Sequence, residues 1–221
     1  MSLSVEIKEG TKQSHSAAEN TKFVSSFLKG VVDREKYKQL IANFYFVYSA
    51  MEEEIENRRG DSTLGKLFYS ELNRVDALER DLRYFYGPIW RSIVEPTEEA
   101  QRYVNRIREV AKDEPELLIA HHYTRYIGDL SGGQILKKIA QRAIGDEGLN
   151  FYDFPLIDDK KGFKQSYKSM LDTLDLDQHQ INAIIVEANW AFRLNMFMFE
   201  ELEGSAFLGF VKFIIGKLWH R

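Results

Sequence analysis

Three glycines and an aspartate lie close together in a stretch that otherwise favours a helix. Residues 123–142 read YTRYIGDLSGGQILKKIAQR and contain Gly128, Asp129, Gly132 and Gly133. Each glycine costs about 1 kcal/mol relative to alanine inside a helix, a large sum against the roughly 5–15 kcal/mol that holds a domain folded. At about 100° per residue the four residues share an arc of about 140°. One glycine would indicate close helix packing, whereas this group indicates a flat, bulky ligand lying against bare backbone.

The sequence LSGGQ at 130–134 also matches the signature of ABC-type ATPases. A segment that resembles a phosphate loop, Gly60–Lys66, is followed by Leu67, where Mg²⁺ binding requires Ser or Thr. Neither segment follows a predicted strand. ATP hydrolysis is therefore not predicted.

A histidine near the N-terminus is the first candidate metal ligand. Lys8, His15 and Glu19 fall within an arc of about 40° on a helix. His15 can donate one ring N–H to Glu19 and leave its other nitrogen for a metal. Surface His–Glu pairs are far commoner than ligands, however, and His121 lies on the glycine face, seven residues before Gly128. The spacing leaves both histidines open.

Lys164 and Lys168 form a second unusual pair. Like charges four residues apart on a helix repel by a few tenths of a kcal/mol, roughly, and an anion between them would remove that cost. A solvated helix face explains the pair equally well.

Helices must position all these residues, because strand patterns are nearly absent. From the predicted cap Asp33, apolar residues recur with helical spacing as far as Ile55. A long loop is expected at 145–159, and the apolar segment 205–218 is too short to span a bilayer. No linker or repeat divides the chain, so we predict one all-α domain over 1–221. The predicted helices are 3–18, 20–29, 33–57, 62–86, 97–112, 115–143, 161–173, 177–203 and 205–218.

Composition excludes several classes of function. The 30 Lys and Arg against 34 Asp and Glu leave a net charge of −4, which argues against a nucleic-acid binder. The absence of cysteine excludes disulfides, Cys-ligated metals and a thiol nucleophile. The N-terminus has no apolar run typical of a signal peptide. A cytoplasmic or plastid-stroma-like compartment is expected.

Several segments together resemble the heme oxygenase family, in particular its cyanobacterial and plastid type. They are TKQSHSAAEN at 11–20, FYFVYSAMEEEIE at 44–56, ELNRVDALERDLRYFYGPIW at 71–90, YTRYIGDLSGGQILKKIAQ at 123–141, FKQSYKSM at 163–170 and NMFMFEELE at 195–203. The resemblance implies that heme lies between the first helix and a bent glycine helix. It further implies oxidation of heme at the α-meso carbon to biliverdin, carbon monoxide and ferrous iron. Heme would be both cofactor and substrate, with O₂ and electrons supplied from outside.

The resemblance also implies a role for each matching residue. His15 matches the iron ligand and Glu19 its hydrogen-bond partner, while Asp129 matches a distal carboxylate that acts through ordered water. The distal glycines and the polar groups around the distal carboxylate are matched by Gly128, Gly132, Gly133, Tyr48, Tyr123 and Arg125. The positions near the propionates are matched by Lys8, Tyr123, Lys164 and Lys168, and the distal lining is matched by Phe192, Asn195 and Phe199. Lys168 stands where animal members have Arg, so a point charge replaces a bidentate fork.

Two other functions remain open at this stage. One is a heme carrier or sensor that never degrades its ligand. The other is a thiamine-degrading enzyme of similar fold, which the missing cysteine nucleophile argues against. For the oxygenase, we expect a monomer that receives electrons from ferredoxin, or alternatively from a flavoprotein reductase, with Lys137, Lys138 and Arg142 as a basic docking patch.

Overall fold

The computed structural model describes residues 2–218, and from residue 205 onward it describes the backbone alone. No strand occurs in this range, which confirms the all-α prediction. The helices are α1 Leu3–Gly10, α2 Lys12–Glu19, α3 Lys22–Leu28, α4 Arg34–Glu56, α5 Val75–Tyr86, α6 Glu98–Asp113, α7 Leu118–His122, α8 Gly128–Ile144, α9 Lys160–Leu171 and α10 Gln178–Leu218. A π-helical turn, Tyr123–Ile127, joins α7 to α8.

Helix α4 follows the sequence pattern closely. Asp33 caps it by accepting hydrogen bonds from the backbone N–H groups of Glu35 (2.9 Å) and Lys36 (3.0 Å). Its predicted apolar stripe is buried throughout: Tyr37, Leu40, Ile41, Phe44, Val47, Tyr48, Met51 and Ile55. The stripe packs against α5 and α6 on one side and α10 on another.

Two long helices organise the molecule. Helix α4 contacts α5, α6, α7 and α10, while α10 contacts α1, α2, α3, α6 and α7 as well as α4. The buried side chains of all these elements form one continuous apolar cluster. The short helices α1–α3 pack against α10, whereas α8 packs against α3 and the 3₁₀ turn Asn150–Tyr152, and these helices surround the site described below.

Two predicted helices are broken by turn chemistry. The helix predicted at 3–18 is interrupted at Thr11, whose hydroxyl donates to the Ile7 carbonyl at 2.7 Å and closes α1. The prediction at 62–86 is wrong in its first half, which forms two 3₁₀ turns, Leu64–Leu67 and Ser70–Leu72. Asp61 begins the first turn by accepting from the N–H groups of Thr63 and Leu64.

Helix α5 begins only at Val75, because a carboxyl group from another helix caps it there. Glu52 on α4 accepts hydrogen bonds from the backbone N–H groups of Arg74 and Val75. Those groups have no partner within their own helix. A cap supplied by a distant element leaves no mark in the local sequence, so periodicity alone could not locate this boundary.

The helix predicted at 115–143 starts as a 3₁₀ turn, Pro115–Leu117, and its irregularity lies in the π turn just before the glycines. The helices predicted at 177–203 and 205–218 form one backbone helix, α10. The side chains of 205–218, and any docking they make, lie outside the described residues. Across the described part of the chain, no helix is long and apolar enough to cross a membrane.

Asp81 provides a test of how the loop at 145–159 is held. Its fully buried carboxylate accepts hydrogen bonds from the backbone and side-chain amides of Asn150 (2.9 and 2.7 Å) and from the backbone N–H of Phe151 (2.8 Å). We expect Asp81→Ala to lower the free energy of unfolding by about 3 kcal/mol, because buried donors lose their acceptor. Urea denaturation measures the change. Asp76→Ala, at an exposed position on the same helix, should cost less than about 1 kcal/mol, and equal losses in both variants would contradict the explanation.

Candidate functional site

A slot between α2, α3, α8 and α10 has an apolar inner half. This half encloses about 300 Å³. Its lining is mainly aromatic and aliphatic, and it includes Phe23, Phe27, Leu40, Phe44, Leu136, Phe151, Phe192 and Phe199. A flat apolar molecule would bury most of its surface here.

The outer half of the slot differs in chemistry. It encloses about 550 Å³ and shares His15, Glu19, Thr124, Gly128, Gly132 and Phe192 with the inner half, so the two halves are continuous. Its rim adds three lysines: Lys8, Lys12 and Lys168. The slot therefore suits a ligand with an apolar body and an anionic edge.

His15 is the histidine that lines this slot among the described residues. Its ring meets the Phe192 ring edge-on at 5.7 Å. Its Nδ1 lies 3.8 Å from Glu19 Oε2, which is ion-pair distance and too long for the hydrogen bond expected from the sequence. The side chains of His15 and Glu19 are 55% and 57% exposed, so the ring is accessible to a ligand in the slot.

The helix that carries His15 is fastened to α10 by polar contacts. Ser14 Oγ donates to Asn189 Oδ1 at 2.5 Å, and Asn189 Nδ2 donates to the Gly10 carbonyl at 3.1 Å. Ala18 is the residue of α2 that is buried. The position of His15 therefore depends on the contact with α10.

Opposite His15, the glycines present uncovered backbone. A Cβ atom added at Gly128 or Gly132 would meet nothing within 4 Å, whereas one at Gly133 would touch the Tyr152 ring at 3.6 Å. Close helix packing therefore explains Gly133 alone. At Gly128 and Gly132 a side chain would project into the open slot and occupy space that a ligand needs.

Beside this face, a buried arginine that also lines the inner half of the slot binds three partners from three helices. Arg125 Nε donates to Tyr48 Oη at 3.0 Å, and its terminal nitrogens donate to Asn195 Oδ1 at 2.7 Å and to Asp129 Oδ1 at 3.3 Å. Tyr48 in turn donates to Asp129 Oδ2. The guanidinium also lies over the Phe44 ring, 4.3 Å from its centre. Each carboxylate oxygen of Asp129 thus has a fixed donor and a remaining lone pair.

The charges in this network are set by burial and by one another. Burial raises the pKa of Asp129, while Arg125 and Tyr48 lower it, and the net direction is upward. Burial opposes the charge of Arg125, but its neighbours Tyr48 and Asp129 leave the pKa of the guanidinium above its ordinary value. Asp129 therefore faces the slot as an oriented acceptor with a raised pKa, suited to holding or passing a proton.

The other residues singled out in the sequence fall into two groups. Tyr123, Lys8 and Lys168 line the outer half, and Phe192 and Phe199 line the inner half. Lys164 is outside both linings and donates to Ser131 Oγ at 3.2 Å. Tyr48, Asn195 and Gly133 stand one layer behind the slot.

His121, the rival ligand, has its ring nitrogens directed at protein partners. Its Nε2 lies 2.9 Å from Glu187 Oε1 and its Nδ1 3.5 Å from Tyr103 Oη, and the residue is fully buried. Arg106 donates two further hydrogen bonds to the same Glu187 carboxylate. His121 is therefore part of the packing between α6, α7 and α10 and does not line the slot.

Sequence reasoning missed two contributors. Thr124 lines both halves of the slot, and its buried hydroxyl has no hydrogen-bond partner among the residues that the structure describes. Glu52 accepts from the Tyr126 hydroxyl at 3.2 Å, and the Tyr126 ring meets the Tyr48 ring edge-on. Neither residue stands out by spacing, because each acts through contacts between distant segments.

Similarity to known proteins extends over most of the chain. The family model described as Heme oxygenase matches residues 1–201. Among curated proteins, heme oxygenase from Guillardia theta is 51% identical over 216 residues, covering 96% of this chain and 91% of the relative. Heme oxygenase 1 from Synechocystis sp. is 52% identical, covering 93% and 86%. The crystal structure of the heme oxygenase-1 from Synechocystis in complex with heme superposes with a TM-score of 0.91 at 49% identity, covering 99% of this chain and all (100%) of that one.

The support behind the site has a pH dependence that can be measured. Burial raises the pKa of Glu52 from its ordinary 4.5 to about 7. The folded protein then keeps a proton that the unfolded chain releases, so this contribution to stability is complete below about pH 4.5 and is lost as pH rises through about 7. Between pH 5 and 7.5 the free energy of unfolding of the wild type should therefore decrease. Glu52→Gln has no such proton to lose, so we expect its free energy of unfolding to decrease by about 2–3 kcal/mol less over the same range.

Urea denaturation at the two pH values gives this difference directly. Glu53→Gln, the same substitution at the adjacent exposed carboxylate, is the control and should follow the wild type. A Glu52→Gln protein with the wild-type pH dependence would refute a protonated Glu52.

Proposed function

The chain belongs to the heme oxygenase family, and from this we infer that it opens heme oxidatively at the α-meso carbon, releasing biliverdin, carbon monoxide and ferrous iron. O₂ and electrons from an external donor drive the reaction. Family membership favours this enzyme over a carrier that leaves heme intact. The product places the enzyme in heme degradation and bilin synthesis.

The observation that carries the proposal is the open backbone of Gly128 and Gly132 facing His15 across an apolar slot. An added Cβ would fill this space, so the residues present fit a flat macrocycle. His15 would hold the iron, with Glu19 beside it at ion-pair distance. When bound, heme supplies both the iron that reacts with O₂ and the porphyrin ring that is opened.

Asp129 is the residue we assign to proton handling. Its lone pairs that remain free of Arg125 and Tyr48 can orient water in the slot, and its raised pKa favours proton exchange with that water. Arg125, Tyr48 and Asn195 hold the carboxylate in place. Phe192 and Phe199 line the inner half of the slot and would limit how a bound ring can shift.

The lysine rim would receive the propionates. Lys8 and Lys168 line the outer half together with Tyr123, whose hydroxyl can donate a hydrogen bond. Lys164 is held on Ser131 nearby, and it adds positive charge one turn before Lys168 on α9. Lysines act as point charges here, so they attract both carboxylates without fixing one geometry.

We further propose that residues 1–221 form one domain, which acts as a monomer in the cytoplasm or a stroma-like compartment and binds no nucleic acid. One continuous core supports the single domain. The net charge of −4 supports the lack of nucleic-acid binding.

Replacing the proposed iron ligand tests the function. We expect His15→Ala to retain heme in the slot, because the apolar lining and the lysine rim remain, but to lose the axial bond and at least 90% of biliverdin formation, roughly a loss of 1.4 kcal/mol or more in transition-state stabilisation. Absorbance of the heme complex after addition of reductant and O₂ follows both properties. Free imidazole should partly restore turnover.

His179→Ala, at an exposed position on α10, serves as the histidine control and should match the wild type. Full turnover in His15→Ala would remove His15 from the mechanism.

Electron supply yields a second test. We propose ferredoxin as the donor, with a flavoprotein reductase as the alternative. Lys137 is paired with Asp153 at 2.6 Å, so exposed Lys138 and Arg142 carry most of the docking charge. We expect Lys138→Glu/Arg142→Glu to slow reduction by ferredoxin several-fold at low salt, with a deficit that shrinks as salt rises.

Stopped-flow reduction of the heme complex at several ionic strengths measures the rate. Lys112→Glu, an exposed reversal on α6, is the matched control. Equal rates for the wild type and the double variant at all ionic strengths would refute this docking patch.

A further inference from the structure

Ser4 and Asp172 join the first helix to the ninth by two parallel hydrogen bonds. The backbone N–H of Ser4 donates to Asp172 Oδ1 at 2.8 Å, and the Ser4 hydroxyl donates to Asp172 Oδ2 at 2.9 Å. Ser4 is buried, with 7% of its surface exposed. We call this pair of bonds the Ser4–Asp172 clamp.

The location of Asp172 is unfavourable for its own helix. Asp172 is the C-terminal cap of α9, where a carboxylate meets the negative end of the helix dipole. Ser4 lies in the first turn of α1, where N–H groups lack helical partners, and the cap residue Ser2 makes no side-chain hydrogen bond to them. The carboxylate therefore stabilises α1 rather than α9, and its effect is to fix the distance between the two helices.

The clamp lies one turn from each of two rim lysines. Lys8 follows Ser4 by four residues on α1, and Lys168 precedes Asp172 by four residues on α9. Residues four apart share one face of a helix, so both lysines project on the same side of their helices as the clamp. Both line the outer half of the slot.

We propose that the Ser4–Asp172 clamp is a positioning device for the reaction, which sets the separation of Lys8 and Lys168 and so the preference of the slot for a ligand with carboxylates at one edge. This inference rests on the proposed function, in which these lysines receive the propionates. A lysine is a flexible point charge, so its location is defined by its backbone more than by its own geometry. With Lys168 in this position, the clamp supplies a constraint that the side chain itself lacks.

The test compares two ligands that differ only at the carboxylates. Iron(III) protoporphyrin IX and its dimethyl ester are titrated into the apo-protein, and the ratio of the two affinities measures recognition of the carboxylates. We expect Asp172→Ala to lower this ratio about two- to fivefold, the range of an exposed ion pair. Ser4→Ala should lower it less, because the backbone N–H bond remains.

The matched control is Thr173→Ala. Thr173 is exposed and adjoins Asp172, and its hydroxyl donates back to the Met170 carbonyl of α9 at 2.7 Å without reaching α1. In Thr173→Ala the ratio of the affinities for heme and for its dimethyl ester should equal the wild-type ratio. The double variant Ser4→Ala/Asp172→Ala should match Asp172→Ala, since that substitution already removes both bonds.

Lys168→Ala and Lys8→Ala separate failure of the clamp from failure of the rim. If these variants lower the ratio and Asp172→Ala does not, the clamp has no positioning role and the proposed function stands. If Asp172→Ala weakens both ligands equally, the clamp is merely structural and the inference is wrong. If neither lysine variant changes the ratio, the rim does not bind the propionates, and the inference falls with that part of the proposed function.

Discussion

The slot depends on the hydrogen bonds that hold α8 from behind while its front face stays bare. Helices in a protein are normally fixed by packing on the side that faces the core. Here Gly128 and Gly132 face open space, so they contribute no packing at all. Leu130 and Ala140 pack α8 into the core, and the guanidinium of Arg125 adds to this packing by joining Tyr48 on α4, Asp129 on α8 and Asn195 on α10. Gly133 completes the support by lying against Tyr152.

The π turn at Tyr123–Ile127 explains how one chain segment can be anchored in the core and also present a bare backbone face to the slot. Every residue from His121 to Ile127 is buried, and Gly128 directly after them is exposed. A π turn adds a residue to the helical turn and shifts the side chains that follow it, and such turns are frequent at functional sites. The chain therefore changes from a fully buried segment to a bare glycine face between two consecutive residues, Ile127 and Gly128. Arg125 and Asp129, four residues apart, both line the inner half of the slot, and a hydrogen bond of 3.3 Å joins them there.

The sequence predicted those features that follow from local spacing. The stripe on α4, the cap at Asp33 and the glycine face were all readable, because each repeats within a few residues. The start of α5 was not readable, since Glu52 on another helix caps it. The role of His121 was equally hidden: only the approach of Glu187 from α10 decides that its ring nitrogen faces away from the slot. Lys164 lies beside Lys168 on α9, yet its amine turns to Ser131 on α8.

The two walls of the slot are held with unequal strength. The α8 wall is fixed by the buried Arg125 network, whereas α2 buries Ala18 and relies on the Ser14–Asn189 contact and on the chain that connects it to α1. Segments with few buried contacts have the lowest local stability in a fold. A ligand bound by His15, the proposed iron ligand, would add a bond to this wall and stabilise α2 by mass action. We therefore expect bound ligand to stabilise the α2 wall more than the α8 wall, which the Arg125 network already holds.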